Sequence, residues 1–516
     1  MDIHAIDINT ITTPDGGESD YGSDFSPEVE QIVAQLLSAH DNDTTDDNPI
    51  LRGVEQHEAL QSLHVPRILG RGERSPLFQA VKAAEEVAEH VRHSVGQPTN
   101  LANKYSEILP DPAPKIPQEL AANQIPDTRS PMERFRTQPK KALSVTDLIS
   151  PAWCELQYWY TLTIHGKTRP TPAMKQGSAV HKKLEDQVHT TVKVEITTIE
   201  DAWGLRIWNI IQGLKTLRET GLTRELEIWG TIDGHVVCGI IDELSYISPD
   251  TELEDSLESS LSKDEPPPDQ ATISEFFKAT GGSTLSEATR SKRRAQTKKV
   301  YLCDVKTRSV RNLPSGAAFR PTRMQLMLYH HLLSALATGT VDLSIFATRY
   351  NFDPLSVFSD SFIAQVGSLN DDVFYDAQSN LPSSQESDQN WSQDSMSILL
   401  AHNTLAALWT LMIQEFQITF PNGADSIGKV LQAEYRSRDE GEIIGSKTFA
   451  MDEGELKKYI DHEMEWWKGE REAEGVVIEE AYKCRTCEFA ENCTWRLEKI
   501  EETTKKVRSR RKAAAT

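Results

Sequence analysis

The sequence predicts an α/β fold, and three local patterns carry that expectation. Two β-patterned runs, "ELEIWGTI" and "HVVCGIIDELSYI", are joined by Asp233-Gly234. This pair suits the positive φ angles of a two-residue hairpin. A third β-patterned run, "VYLCDVKTR" (300–308), precedes a helix-length apolar pattern, "PTRMQLMLYHHLLSALA" (321–337). A second hairpin pattern, "VLQAEYRS…IIGSKTFAM", lies between helical patterns near 398–417 and 453–470.

The elements follow in order. Residues 1–140 are rich in Asp, Ser, Thr, Pro and Gly, with short helical patterns near 27–39 and 76–94, and read as a largely disordered acidic region. A folded domain over 141–500 begins at "LSVTDLISPAWCELQYWY", where aromatic and aliphatic residues become dense. "GSAVHKKLEDQV" (177–188) reads as a helix start, and residues 249–299 and 366–396 read as flexible inserts. Residues 501–516 form a basic tail.

The net charge of −23 does not exclude nucleic acid, because the acidity is concentrated. Residues 1–60 hold fourteen Asp and Glu against Arg52 alone, and residues 351–400 hold eight with no Lys or Arg. A global charge says little about the field in a cleft. No apolar run reaches transmembrane length and no signal-peptide core is present, so an intracellular protein without a membrane role is expected. The N-terminal region is not an Arg-rich presequence. In a reducing compartment clustered cysteines read as metal or redox groups.

Asp304 and Lys306, in "CDVKTR", are two apart on a strand and project from one face. Such a pair can hold a divalent cation and an attacking water together; alone it more often marks a strand salt bridge. Asp242, in "GIIDEL", lies within an apolar strand where an unpaired carboxylate is costly to bury. It reads either as a strand-end surface residue or as a second metal ligand. His181 and Glu185 share one helix face, as do Gln325 and Tyr329, with Leu326, Leu328, Leu332 and Leu333 facing the core. Near the end of the chain, "AYKCRTCEFAENC" spaces Cys484, Cys487 and Cys493 as C-x2-C-x5-C, three ligands of a metal site that wants four.

Taken in order, His181, Asp242, Asp304-Val305-Lys306 and Gln325-Tyr329 resemble the RecB-type branch of the PD-(D/E)xK nucleases. "SVTDLISPAWCELQYWYTL", "TPAMKQGSAVHKKLE" and "CRTCEFAENCTWR" extend the likeness to the exonuclease V family, from about Ser144 to Arg496. The resemblance implies a restriction-endonuclease-like core, a mixed sheet flanked by helices. It also implies Mg²⁺-dependent cleavage of single-stranded DNA, with 5′ ends favoured in fungal members, Mn²⁺ as the alternative cation, and short oligonucleotide products. His181, Asp242 and Asp304 would ligate the cation with the Val305 carbonyl, Glu185 more weakly, and Lys306 would position the attacking water. Gln325 and Tyr329 would orient the site, and Arg308, Arg323 and Tyr329 would contact the strand by charge and stacking.

The resemblance also supplies the missing ligand. In one subgroup a [4Fe–4S] cluster is held by one cysteine before the nuclease motifs and three after, and Cys154 stands in the first place. The cluster would join the two ends of the domain. A four-cysteine zinc site remains the alternative, and Cys238 and Cys303 read as small core residues. Implied partners are single-stranded DNA and a single-strand-binding protein, for a monomer in the nucleus, the mitochondrion or both. The basic runs "RSKRR" (290–294) and "KKVRSRRK" (505–512) read equally as nuclear-import signals and solvated charge. "GADSIGKV" (423–430) nearly fits a phosphate-binding loop, but Val430 replaces the hydroxyl residue and a strand follows, so no motor domain is expected. The rival reading is a catalytically silent iron–sulfur DNA-binding scaffold on the same fold; intact Asp242, Asp304 and Lys306 favour the enzyme.

Overall fold

The computed structural model describes residues 59–66, 127–168, 171–261, 298–367, 395–439 and 441–515. Its strands are β1 (Ala59–Pro66), β2 (Leu143–Ser144), β3 (His189–Ile196), β4 (Leu222–Ile232), β5 (His235–Ser245), β6 (Tyr301–Arg308), β7 (Val430–Ser437) and β8 (Ile443–Ala450). The helices used below are α1 (Pro151–His165), α2 (Pro172–Glu185), α3 (Ile199–Thr220), α4 (Thr251–Leu261) and α5 (Arg320–Ala337). They continue as α6 (Leu343–Tyr350), α7 (Leu405–Thr419), α8 (Glu453–Trp467) and α9 (Thr494–Ala515).

The central sheet is mixed. Asp233 and Gly234 adopt φ of 51° and 78°, so β4 and β5 pair antiparallel through a tight hairpin from Ile232↔His235 outward. The other edge of β5 is shared: β2 pairs parallel with Val237 and Cys238, and β6 pairs antiparallel with Glu243, Leu244 and Ser245. Parallel β7 and antiparallel β8 complete the sheet. β1 and β3 form a separate antiparallel pair.

Helices cover both faces, which explains why β6 is buried over nearly its whole length instead of alternating. On one face Trp229 of β4 packs on Trp203 of α3 and Trp409 of α7, with ring centroids 5.1 and 5.8 Å apart. Glu227, two residues earlier and so on the same side, pairs with Arg206 of α3. On the other face Gly230 admits Leu332 of α5, whose Cδ2 lies 2.6 Å from where a β-carbon would sit. The α5 residues Leu326, Leu328, Leu332 and Leu333 are all buried, as the sequence pattern requires.

Three boundaries differ from the sequence reading. Within the region read as disordered, Ala59–Pro66 is a strand because β3 offers it a pairing edge, and a capped helix at Pro131–Phe135 buries Met132. The segment read as an insert begins with α4, tied to the sheet where Tyr301 Oη donates to Glu254 Oε1 at 2.5 Å and Thr448 Oγ1 donates to Asp250 Oδ2 at 2.9 Å. The basic tail continues α9. The patterns at 27–39 and 76–94 and the run 290–294 lie outside the described residues. At 423–430 a short 3-10 turn leads directly into β7, with no helix following the glycine-containing loop. Among the described residues no helix is long and apolar enough to cross a membrane.

Gly239 seats α5 on β5: a β-carbon there would lie 2.8 Å from both Tyr329 Cε1 and Val145 Cγ2. Neither neighbour can yield easily, one being an aromatic ring and the other branched. Gly239→Ala is expected to cost about 1–3 kcal/mol by overpacking, read as a lower urea midpoint at unchanged slope.

Candidate active site

The site forms where β5 and β6 part. Their last register partners on the way to it are Glu243 and Cys303. Beyond them the Val305 N–H donates to a side chain instead of a backbone carbonyl, reaching Asp242 Oδ2 at 2.6 Å. Strand alternation puts Asp304 and Lys306 on one face. Lys306 Nζ donates to Asp304 Oδ1 at 3.2 Å and lies 3.0 Å from Oδ2. All three side chains are buried, with Asp304 0 %, Lys306 4 % and Asp242 5 % exposed.

Burial governs their electrostatics. It pushes the Asp304 carboxyl up to about 7; Lys306 opposes the rise and the neighbouring Asp242 adds to it. Asp242 is raised too, first by burial, with His181 and Lys306 opposing and Glu225 reinforcing. Asp304 Oδ2 makes no hydrogen bond of good geometry among the described residues and faces the Lys306 ammonium at 3.0 Å. Two carboxylates beside one lysine leave room for further positive charge.

α2 starts at the Thr171 cap, whose hydroxyl accepts the Met174 N–H at 3.2 Å, with Pro172 at its first position. It carries His181 to the cleft, where Nδ1 lies 3.5 Å from Glu225 Oε1 and 3.8 Å from Asp242 Oδ1. Among the described residues, His181, Glu225 and Asp242 are the one group of three His, Cys, Asp or Glu whose ligand atoms all lie within 4.8 Å of one another.

Glu225 was missed from sequence, where Glu185 was the weaker candidate beside His181, Asp242 and Asp304. The Glu185 carboxylate instead meets His64 Nε2 of β1 at 3.4 Å and Lys182 Nζ at 3.0 Å. A signal for Glu225 existed: a hairpin closed by Ile232↔His235 sets residue 225 opposite residue 242. Arg224 and Leu226 keep their ladder partners, while Glu225 takes a left-handed φ of 51°.

Gln325 Nε2 donates to Tyr329 Oη at 2.9 Å. Tyr329 is 4 % exposed and wedged against Gly239, so the expectation that it stacks on a DNA base is corrected: a buried ring has no free face. Arg323 pairs with Glu455 at 2.5 Å and lies over Phe449. Arg308 follows Lys306 on the same sheet face, half-buried, its guanidinium 5.9 Å from the Tyr435 ring.

A second candidate site gathers four distant cysteines. Cys154, Cys484, Cys487 and Cys493 line one cavity with Tyr160, Lys483, Phe489 and Trp495 among its other walls. α1 kinks at Cys154, whose φ of −165° and ψ of 109° are extended. Gly475 makes room for Trp495, whose Cγ lies 2.2 Å from where a β-carbon would stand. Burial lifts the Cys154 and Cys487 thiols to about 11, and the neighbouring cysteines add to both. Cys238 and Cys303 are buried in the sheet, as expected of core residues.

The family described as "Exonuclease V - a 5' deoxyribonuclease" matches residues 130–496. The chain belongs to the exonuclease V family. It is therefore an exodeoxyribonuclease, acting on DNA. Exonuclease V of Danio rerio is 26 % identical over 370 residues, covering 71 % of this chain and 73 % of its own. Exonuclease V, mitochondrial, of Eremothecium gossypii is 26 % identical over 431 residues, covering 69 % and 77 %. The Candida glabrata protein of the same name is 23 % identical over 440 residues, covering 70 % and 81 %. The family match spans both the carboxylate site and all four cysteines of the cavity.

In this exonuclease V family member the Asp304 carboxyl keeps its proton up to about pH 7, whereas the unfolded chain releases it near 3.8. Between those values the metal-free folded state binds more protons, so its stability falls as pH rises through the window. Asp304→Asn should remove that part of the slope, measured as urea midpoints below and above the window without metal.

Proposed function

We propose that this protein is a Mg²⁺-dependent exonuclease of single-stranded DNA, working from 5′ ends on a restriction-endonuclease-like core and releasing short oligonucleotides. The observation that carries the reading is the pairing of Asp304 with Lys306 on β6, beside Asp242 at the point where β5 diverges. Two buried, mutually repelling carboxyls that share one lysine fit a cation between Asp242 and Asp304, with His181 beside Asp242. One imidazole with carboxylate oxygens suits Mg²⁺, and Mn²⁺ more readily still. When bound, the cation would supply Lewis-acid polarisation of the scissile phosphate.

The protein groups do the rest. Lys306, oriented by Asp304, holds the attacking water in line and neutralises charge developing on the phosphoryl oxygens; the water oxygen bonds to phosphorus as the P–O3′ bond breaks, and the water's proton passes through solvent to the departing 3′-oxygen. Gln325 and Tyr329 brace the face of α5 above them. Reactive groups buried this deeply favour a single flexible phosphodiester strand over a stiff duplex. The family description names a 5′ deoxyribonuclease, which supports that polarity. Relatives from Eremothecium gossypii and Candida glabrata carry "mitochondrial" in their names, and we extend that compartment to this protein.

Cys154, Cys484, Cys487 and Cys493 fit a [4Fe–4S] cluster. All four line one cavity, and their one-before, three-after order favours the cluster over a four-cysteine zinc site, whose ligands usually arrive as two pairs. The cluster's role is structural, closing α1 against the C-terminal segment.

Asp304→Ala is expected to abolish release of acid-soluble nucleotides from single strands in Mg²⁺, with iron content and circular dichroism unchanged. Retained cleavage would remove Asp304 from the mechanism. Cys154→Ser should lose the visible charge-transfer absorbance and the iron together; a zinc-only, colourless wild-type preparation would overturn the cluster while leaving the nuclease reading intact.

A further inference from the structure

Resting on the reading of a [4Fe–4S] cluster, we propose that Lys483 is the counter-cation of that cluster, a buried charge that sets its reduction potential. The lining of the cysteine cavity, the partners of the ammonium and the local charge balance lead there.

Around the four cysteines stand aromatic, apolar and amide side chains, among them Gln157, Val476, Phe489 and Trp495. Of the described residues lining the cavity, Lys483 alone is a Lys, Arg, Asp or Glu. It directly precedes Cys484 and is only 3 % exposed. A lysine is almost never buried so fully unless neighbouring groups offset its lost hydration.

The ammonium is fixed from several directions. Nζ donates to the Trp153 carbonyl and to Glu480 Oε2, each at 2.8 Å, and lies 4.3 Å from the centre of the Trp153 ring. Trp153 precedes Cys154 in the chain. The contact therefore joins the residue before one expected ligand to the residue before another, and the charge is held in place beside both.

Charge decides what the lysine can do there. Glu480 is the one carboxylate paired with Lys483 among the described residues, and the exposed Arg320 pairs with the same carboxylate. Two cations share one anion, so positive charge is left over at the cavity wall. A [4Fe–4S] core held by four thiolates carries the opposite surplus. The potential of such a cluster follows net charge, burial and the hydrogen bonds to its sulfurs. Lys483 acts through the first of these: a buried cation favours whichever state holds the additional electron.

The alternative is that Lys483 merely pins α1 to the C-terminal segment, and the two roles differ in sign. Lys483→Met removes the cation and Glu480→Gln removes the anion, while both weaken the pin. Full-length wild type and the two variants are purified anaerobically. Iron content, visible absorbance and the one-electron midpoint potential by voltammetry are measured for each, the electron passing from electrode to cluster with the cysteine–iron bonds kept. Lys483→Met is expected to shift the equilibrium about tenfold toward the oxidised cluster, a potential about 59 mV more negative. Glu480→Gln should move it the other way. Iron release to a chelator should quicken in Lys483→Met and not in Glu480→Gln, and this comparison decides where no couple is reached. If Lys483→Met assembles no cluster, the direction of Glu480→Gln decides. Wild-type potentials in both iron-loaded variants, a shift of the same sign in both, or faster iron release in both would overturn the proposal and leave the cluster reading standing. A colourless wild type without iron would sink that reading and this proposal together.

Discussion

The Val305 N–H reaches Asp242 Oδ2 at 2.6 Å, and the arrangement of the candidate site depends on that hydrogen bond. A buried amide leaving a sheet ladder must find an acceptor. Here the acceptor is a carboxylate, so the ladder can end without an orphaned donor. One Asp242 oxygen is thereby held toward β6, and the other faces His181. Asp304 and Lys306 flank Val305 and are fixed by the same contact. Their low exposure then makes the two carboxylates costly to ionise without added positive charge, which is the electrostatic condition a cation-binding site requires.

Around this point the helices act as a frame. α5 sits close to the sheet because Gly230 and Gly239 lack side chains, and it presents Gln325 and Tyr329 as a hydrogen-bonded pair. Its first residue, Arg320, pairs with Glu480, which in turn pairs with Lys483. Lys483 Nζ also donates to the Trp153 carbonyl at 2.8 Å, beside Cys154. The start of α5 therefore rests against the wall of the cysteine cavity. Further bonds tie α1 to the same segment: the Leu156 N–H donates to the Glu474 carbonyl at 2.9 Å, and Arg471 forks onto the Glu155 carboxylate at 2.6 Å from each terminal nitrogen. The two ends of the domain meet through these protein contacts as well as through the cysteines.

Much of the site was legible in the sequence because its geometry is local. Two-residue spacing placed Asp304 and Lys306 on one face, and Asp233-Gly234 announced the hairpin that carries Asp242. Four-residue helical spacing paired Gln325 with Tyr329. The failures are of another kind. Helical spacing linked Glu185 to His181, yet Glu185 is taken by His64, from a strand in a region that reads as unstructured. Tyr329 carries the composition of a stacking residue, but Gly239 lets it sink into the core. Glu225 was recoverable by counting outward from the hairpin turn, although its left-handed backbone was not.

By itself the sequence determined the α/β class, the strand of Asp304 and Lys306, the helix of Gln325 and Tyr329, and the cysteine spacing near the C-terminal end, since each rests on near-neighbour periodicity. The tertiary structure alone decided which carboxylates meet: Glu225 with His181 and Asp242, and not Glu185. It also decided that Cys154 reaches Cys484, Cys487 and Cys493 across most of the domain. Those outcomes depend on where strands diverge and what they bury, and burial is a property of the whole packed chain.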